Sequence, residues 1–173
     1  MRLETEELIA EYWQSVYAAA YVICRNQMDA EDAAQDAFVR YFMQKRQFQS
    51  REHIKAWLLK TAINRARDMT RSFFRKNKVP LEEYAVSHEN AGSMDQNLVR
   101  IEEGQQLTTA VMELPEKYRI VIHLHYYEGH TSAEIAEMLG LSEANVRKRM
   151  SRAREMLKEK LKEEWEDDQQ QSL

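Results

Sequence analysis

Leu8, Tyr12, Val16, Ala19 and Ile23 recur at steps of 4, 4, 3 and 4, which is one face of a helix. Residues 26–29 break that register. A second run then places Ala30, Ala33, Ala34, Ala37, Phe38, Tyr41 and Phe42 on one side. Residues 47–50 form a short polar loop. A third, long helix is predicted from near Arg51 to about Arg75, with Ile54, Trp57, Leu58, Thr61, Ala62 and Met69 facing inward. Pro80 cannot continue it. From 77 to about 95 periodicity is lost, and Pro80, Ser87, His88, Asn90, Gly92 and Ser93 are turn and loop formers. Helical spacing returns over 98–112, stops at Leu114-Pro115 and resumes over 116–127. Two more helices follow, and residues 163–173 are expected to be frayed. The pattern predicts an all-α protein of two small helical domains joined by a flexible linker. Its expected bounds are 1–76, a linker over 77–97, a helix-turn-helix domain over 98–162, and an acidic tail over 163–173.

The strongest local motif spans 131–157. Thr131 and Glu134 fit a capping box, with the hydroxyl capping the first turn and the carboxylate reaching back to the Thr131 backbone. Ile135, Ala136 and Leu139 face inward. Gly140 sits where one helix must end in a left-handed turn, Leu141 plugs the corner, and Ser142 caps the next helix. Val146, Met150, Ala153, Leu157 and Leu161 form a buried stripe. A small Ala136, then Gly140, then Val146 is the helix-turn-helix arrangement. The second helix would enter a major groove by its N-terminal turns, presenting Ser142, Glu143, Ala144, Arg147, Lys148 and Ser151. Arg147 and Lys148 suit guanine O6 and N7, and Glu143 suits cytosine N4. Arg149, Arg152 and Arg154 suit phosphates. The competing reading is an amphipathic helical hairpin with a solvated basic face.

Charge sharpens this picture. The chain of 173 residues carries a net −4, which taken whole argues mildly against nucleic acid. Locally, residues 51–78 carry +7 and 142–162 carry +5, separated by −5 over 79–105. Screening beyond about 10 Å makes the local charge the one a polyanion meets. The third helix places Lys60, Asn64, Arg67, Arg71, Arg75 and Lys78 on one polar stripe, about 27 Å long at 1.5 Å per residue. Phe73 and Phe74 interleave with it. They suit either stacking on exposed bases or, as the better reading, core packing alongside Trp57.

Composition excludes several classes. With 43% hydrophobic and 31% charged residues, the chain suits a soluble, helix-rich protein. Four glycines and two prolines disfavour an all-β fold. No apolar run approaches the roughly 20 residues that span a bilayer, so no membrane insertion is expected. Glu4, Glu6 and Glu7 stand where a secretory signal would be apolar. A single Cys24 fits a reducing cytoplasm, the expected location. His123, His125 and His130 do not converge at helical spacing, so no metal or other cofactor is expected. Glu82-Glu83 lies in the linker, and there is no phosphate loop or nucleophile motif, so an enzyme is not expected.

Over residues 7–162 the chain resembles bacterial sigma factors of the extracytoplasmic-function class, within the sigma-70 family. Residues 29–40 are similar to the family's second conserved region. His53 to Arg75, with Ala56-Trp57-Leu58 and 62–68, looks like its promoter-melting helix. Residues 114–119, Glu134-Ile135-Ala136, Gly140-Leu141-Ser142 and Arg152-Ala153-Arg154 look like its fourth region. The resemblance implies that Asp32, Gln35, Asp36 and Arg40 bind core RNA polymerase at the clamp helices of its largest subunit, with the flap as a further polymerase contact. It implies that the loop of Phe48, Gln49, Ser50 and Arg51 captures a base flipped from the minus-ten element, Phe48 offering a stacking face; which loop residue reads the base stays open. Lys60, Asn64, Arg67, Asp68, Arg71 and Arg75 would hold the non-template strand, and the recognition helix would read the minus-thirty-five element of promoter DNA. An anti-sigma factor is an implied partner, and the linker would thread the polymerase RNA-exit path. Two departures stand out: Lys148 replaces a residue that is small in the family, and Asp36-Ala37 stands where Glu-Thr is usual. The rival functions are a stand-alone helix-turn-helix transcriptional regulator and a protein-binding helical adaptor.

Overall fold

In the computed structural model, residues 1–77 and 102–171 are described, and all their regular structure is helical. The linker expected over 77–97 lies outside the described residues except for Asn77, as do Lys78, Glu82-Glu83 and the start of the helix expected from 98. The chain divides into two compact units, Met1–Ser93 and Met94–Leu173.

The first unit packs α1 (Thr5–Cys24), α2 (Gln27–Met43) and α3 (Arg51–Asn77) pairwise around one core. Leu8, Val16 and Ala19 of α1 are fully buried, and Tyr12 and Ile23 nearly so. Tyr17, Ala20, Val22 and Cys24 are buried too, because α1 faces both neighbours. Ala30, Ala33, Ala34 and Ala37 form a fully buried small stripe that lets α2 sit close to its neighbours. Asn26 caps α2 by accepting from the Asp29 N–H at 3.1 Å. α1 ends on Arg25 at φ 55°, a left-handed C-cap. Two expectations need correction. Phe42 is 38% exposed, as the last turn of α2 projects past the core. On α3 the buried set is Ile54, Leu58, Leu59, Ala62, Ile63 and Ala66, while Trp57, Thr61 and Met69 are half-buried.

The second unit contains α4 (Glu102–Glu113), α5 (Glu116–Ile122), a π turn (His123–Tyr127), α6 (Ser132–Leu139) and α7 (Glu143–Gln171). The helix expected over 116–127 is therefore not one α-helix. The Glu128 N–H reaches the His123 carbonyl five residues back at 3.2 Å, and His130 N–H reaches Leu124 at 3.0 Å. Arg119, 3% exposed, donates Nη1 to the Leu114 carbonyl at 2.7 Å and holds the corner between α4 and α5. α7 packs on α4, α5 and α6 through fully buried Val146 and Ala153 and nearly buried Met150, with Leu157 and Leu161 half-buried. It continues as a helix through position 163, where a frayed tail was expected.

Candidate nucleic-acid interface

The turn between α6 and α7 is built as its residues dictate. The Glu134 N–H donates to Thr131 Oγ1 at 3.2 Å, and the Thr131 N–H donates to Glu134 Oε2 at 2.8 Å. That backbone bond is the main reason the Glu134 carboxyl is held below the usual carboxylate range. Gly140 adopts φ 67°, and Leu141 N–H closes the turn on the Ala136 carbonyl at 2.9 Å. The Asn145 N–H then donates to Ser142 Oγ at 3.1 Å, starting α7. Met138 is buried where Leu139 was expected, and Leu139 is half-buried.

With Val146 and Met150 turned inward, the first turns of α7 leave Ser142, Glu143, Ala144, Arg147, Lys148, Ser151 and Arg152 exposed. Arg149 is half-buried. Arg147 Nη1 donates to Glu143 Oε1 at 2.8 Å, and Arg152 pairs with Glu155 at 3.1 Å. Arg154 is exposed but tethered: its Nε donates to Tyr126 Oη at 2.7 Å, with the guanidinium over the Tyr126 ring. Asn145 is exposed on the same first turn and belongs with the candidates. Its amide suits adenine N6 and N7.

In the first unit, Lys60, Asn64, Asp68, Arg71 and Arg75 are exposed on α3 and Arg67 is half-buried. From Lys60 to Arg75 this is a stripe of about 22 Å at 1.5 Å per residue. Phe73 is 36% exposed and Phe74 half-buried, at 80° to one another, so neither is a core residue.

The loop before α3 departs from expectation. Phe48 is 3% exposed, stacked on Tyr41 at 5.4 Å with Trp57 edge-on at 5.8 Å. It is core and offers no stacking face. Ser50 Oγ caps α3, accepting from the His53 N–H at 3.1 Å. Arg51 pairs with Glu7 and Glu11 of α1, and Tyr12 Oη donates to the Arg51 carbonyl at 3.2 Å. Burial first, and Glu11 second, push the Tyr12 hydroxyl up to about 12. Gln49 remains exposed at the tip.

On α2, Asp32, Gln35 and Arg40 are exposed and Asp36 is half-buried, 2.8 Å from Arg40 Nε. Met28 (75% exposed), Val39 (51%) and Met43 (80%) share this side of the helix. These apolar residues fall off the alanine stripe, which was their only signal in the sequence. His123 is buried and stacked on Tyr127, while His125 and His130 meet through a ring-to-carbonyl contact at 3.0 Å. No group of metal-ligating side chains occurs among the described residues. No helix among them is long and apolar enough to cross a membrane.

Two helical modules, one ending in a helix-turn-helix with an exposed basic face and the other carrying a cationic helix, define a class of DNA-binding protein. Comparison with known proteins places it more closely. Residues 8–78 match Sigma-70 region 2, and residues 104–157 match Sigma-70, region 4. The ECF RNA polymerase sigma factor SigM of Bacillus subtilis is 30% identical over 160 residues, spanning 88% of this chain and 92% of SigM. SigE of Mycolicibacterium smegmatis is also 30% identical over 160 residues, spanning 90% of this chain. The chain spans 61% of the length of SigE and 38% of a Xanthomonas campestris relative. The fold is similar to that of the sigma factor RpoE crystallised with the anti-sigma factor NepR from Bartonella quintana. That likeness has a TM-score of 0.68 at 22% identity and covers 91% of this chain and 96% of that one. The chain belongs to the sigma-70 family, as an extracytoplasmic-function RNA polymerase sigma factor.

Proposed function

We propose that the chain binds core RNA polymerase, directs it to a subset of promoters and helps open the DNA there, with no catalytic step of its own. The observation that carries this reading is the pairing of two cationic surfaces, one in each unit. The capped helix-turn-helix presents Glu143, Arg147 and Lys148 to a major groove, and the α3 stripe presents Lys60, Asn64, Arg71 and Arg75 to a separated strand. A stand-alone regulator would use the first surface and have no use for the second.

In this reading, residues up to 76 serve the minus-ten element and residues 98–162 the minus-thirty-five element. Gln49, exposed beside the buried Phe48, meets the flipped base, and Arg51 braces the loop through α1. The α2 side of Asp32, Asp36, Val39 and Met43 docks on polymerase. Exposed apolar groups interspersed with carboxylates suit a basic protein surface. An anti-sigma factor covering the chain would hold it inactive in the cytoplasm.

Run-off transcription from fragmented host DNA, with core polymerase and with or without the chain, tests this. Discrete new transcripts only when both are present are expected, and their start sites give both promoter elements. No new transcripts, together with tight duplex binding by the chain alone, would replace this reading with that of a regulator acting without polymerase.

A further inference from the structure

The loop over 44–50 is held by residues distant in sequence. Arg2 Nη2 donates to the Tyr41 carbonyl at 2.7 Å, and Arg2 Nη1 donates to the Arg46 carbonyl at 3.1 Å. The guanidinium lies 4.5 Å from the Tyr41 ring centre. The Leu3 N–H donates to Tyr41 Oη at 3.0 Å, and the Phe48 N–H donates to the Met1 carbonyl at 3.1 Å. The Tyr41 carbonyl is one of the last four of α2, which have no partner within the helix, and the end of a helix is where a cation is favoured. One planar fork thus joins the end of α2 to the middle of the loop while lying over the ring on which Phe48 stacks. Gln49, the next residue, is exposed.

We propose that Arg2 is a positioning residue for promoter opening: it fixes the loop over 44–50 so that Phe48 stays beneath Tyr41 and Gln49 is presented outward. The part about the promoter rests on the reading given above. The part about the loop does not.

Two kinds of measurement separate them, each on the full chain carrying Arg2→Ala or Arg2→Lys. The first is amide hydrogen exchange over 44–50, with exchange over the middle of α1 and α3 as the measure of folding. Both variants should exchange faster than wild type in the loop, by at least about fivefold, the equivalent of one of the two hydrogen bonds that Arg2 donates, and unchanged in the helices. Lysine keeps the charge but carries its donors on one nitrogen in place of a planar fork of two, so it should not rescue. The second uses holoenzyme on a promoter mapped by run-off transcription, with 2-aminopurine at the flipped minus-ten base. Both variants should unstack that base about fivefold more slowly and discriminate less against minus-ten substitutions, with core affinity unchanged. If alanine unfolds the unit, lysine alone carries the test. Loop exchange at the wild-type rate in either variant would overturn the proposal. So would full rescue of base unstacking by lysine, which would make Arg2 a charge acting on DNA. Faster loop exchange in a holoenzyme whose wild type unstacks no base would uphold the clamp and remove its link to promoter opening.

Discussion

Arg147 Nη1 lies 2.8 Å from Glu143 Oε1, one turn apart on the exposed first turns of α7. Both side chains are well exposed, so the pair contributes only a few tenths of a kcal/mol to the helix and exchanges readily for a base edge. In the free chain it keeps the guanidinium over the first turns of α7, the part proposed to enter the groove. Arg147→Ala should cost about 1–3 kcal/mol at one base position of the upstream element and leave other positions as they were. Transcription from a set of promoters with single changes in that element reads this directly. An unchanged preference profile would remove Arg147 from base reading.

The α3 stripe should behave differently, because phosphate contacts carry no sequence information. Lys60→Ala, Arg71→Ala and Arg75→Ala should each weaken holoenzyme binding evenly across promoters. Each should lower the slope of log affinity against log salt by about 1. Three unchanged slopes would mean that these cations face solvent rather than DNA.

The elements that could be read in the sequence are those with local causes. Thr131 and Glu134 are three residues apart, Gly140 needs a left-handed turn, and Ser142 caps the next helix; each is a short-range device and each is present. The α1 face, and the α2 face apart from Phe42, follow from periodicity in the same way. What could not be read depends on partners far along the chain. Phe48 sits in a loop with no period, and its burial is decided by Tyr41 and Trp57. Arg51 is paired with Glu7 and Glu11, 44 and 40 residues away. Tyr126 tethers Arg154 across 28 residues. Periodicity says which side of a helix is apolar but not what covers it. Trp57 therefore lies shallower than its spacing implies, and spacing gives no sign of the exposed Met28, Val39 and Met43.

Arg119 is another such residue. It reads as one of several cations in the sequence, yet its guanidinium is buried against the Leu114 carbonyl. Arg119→Met keeps the length and apolar stem of the side chain but leaves that carbonyl without this donor. The second unit should lose about 2–3 kcal/mol, the range for an unsatisfied buried group. Urea unfolding followed by amide exchange in α5 and α6 separates this loss from the first unit. A change below about 0.5 kcal/mol, the level of an ordinary surface substitution, would show the bond to be dispensable.

His123 should make the same unit sensitive to acid. The ring is stacked on Tyr127, its Nε2 has no hydrogen-bond partner, and the Glu128 carboxylate is 3.8 Å away. Burial pushes its pKa down from 6.5 to about 4, against the opposing pull of Glu128. The unfolded chain takes up this proton near pH 6.5, whereas the folded chain resists until about pH 4. Between those values the unfolded state binds more protons, so acid favours unfolding. The contribution is whole above pH 6.5 and falls as the pH drops through the window, by about 3 kcal/mol in all. Glu134, held below the usual carboxylate range, gives up its own contribution only below about pH 4.5, at the acid end of this window. His123→Phe keeps an aromatic ring against Tyr127 and removes the proton site. Amide exchange in α5 and α6 between pH 7.5 and 4.5, corrected for intrinsic exchange rates, should show a steep loss of protection in the wild type and a flatter one in the variant. Parallel profiles in the two proteins would place the acid sensitivity of this unit elsewhere.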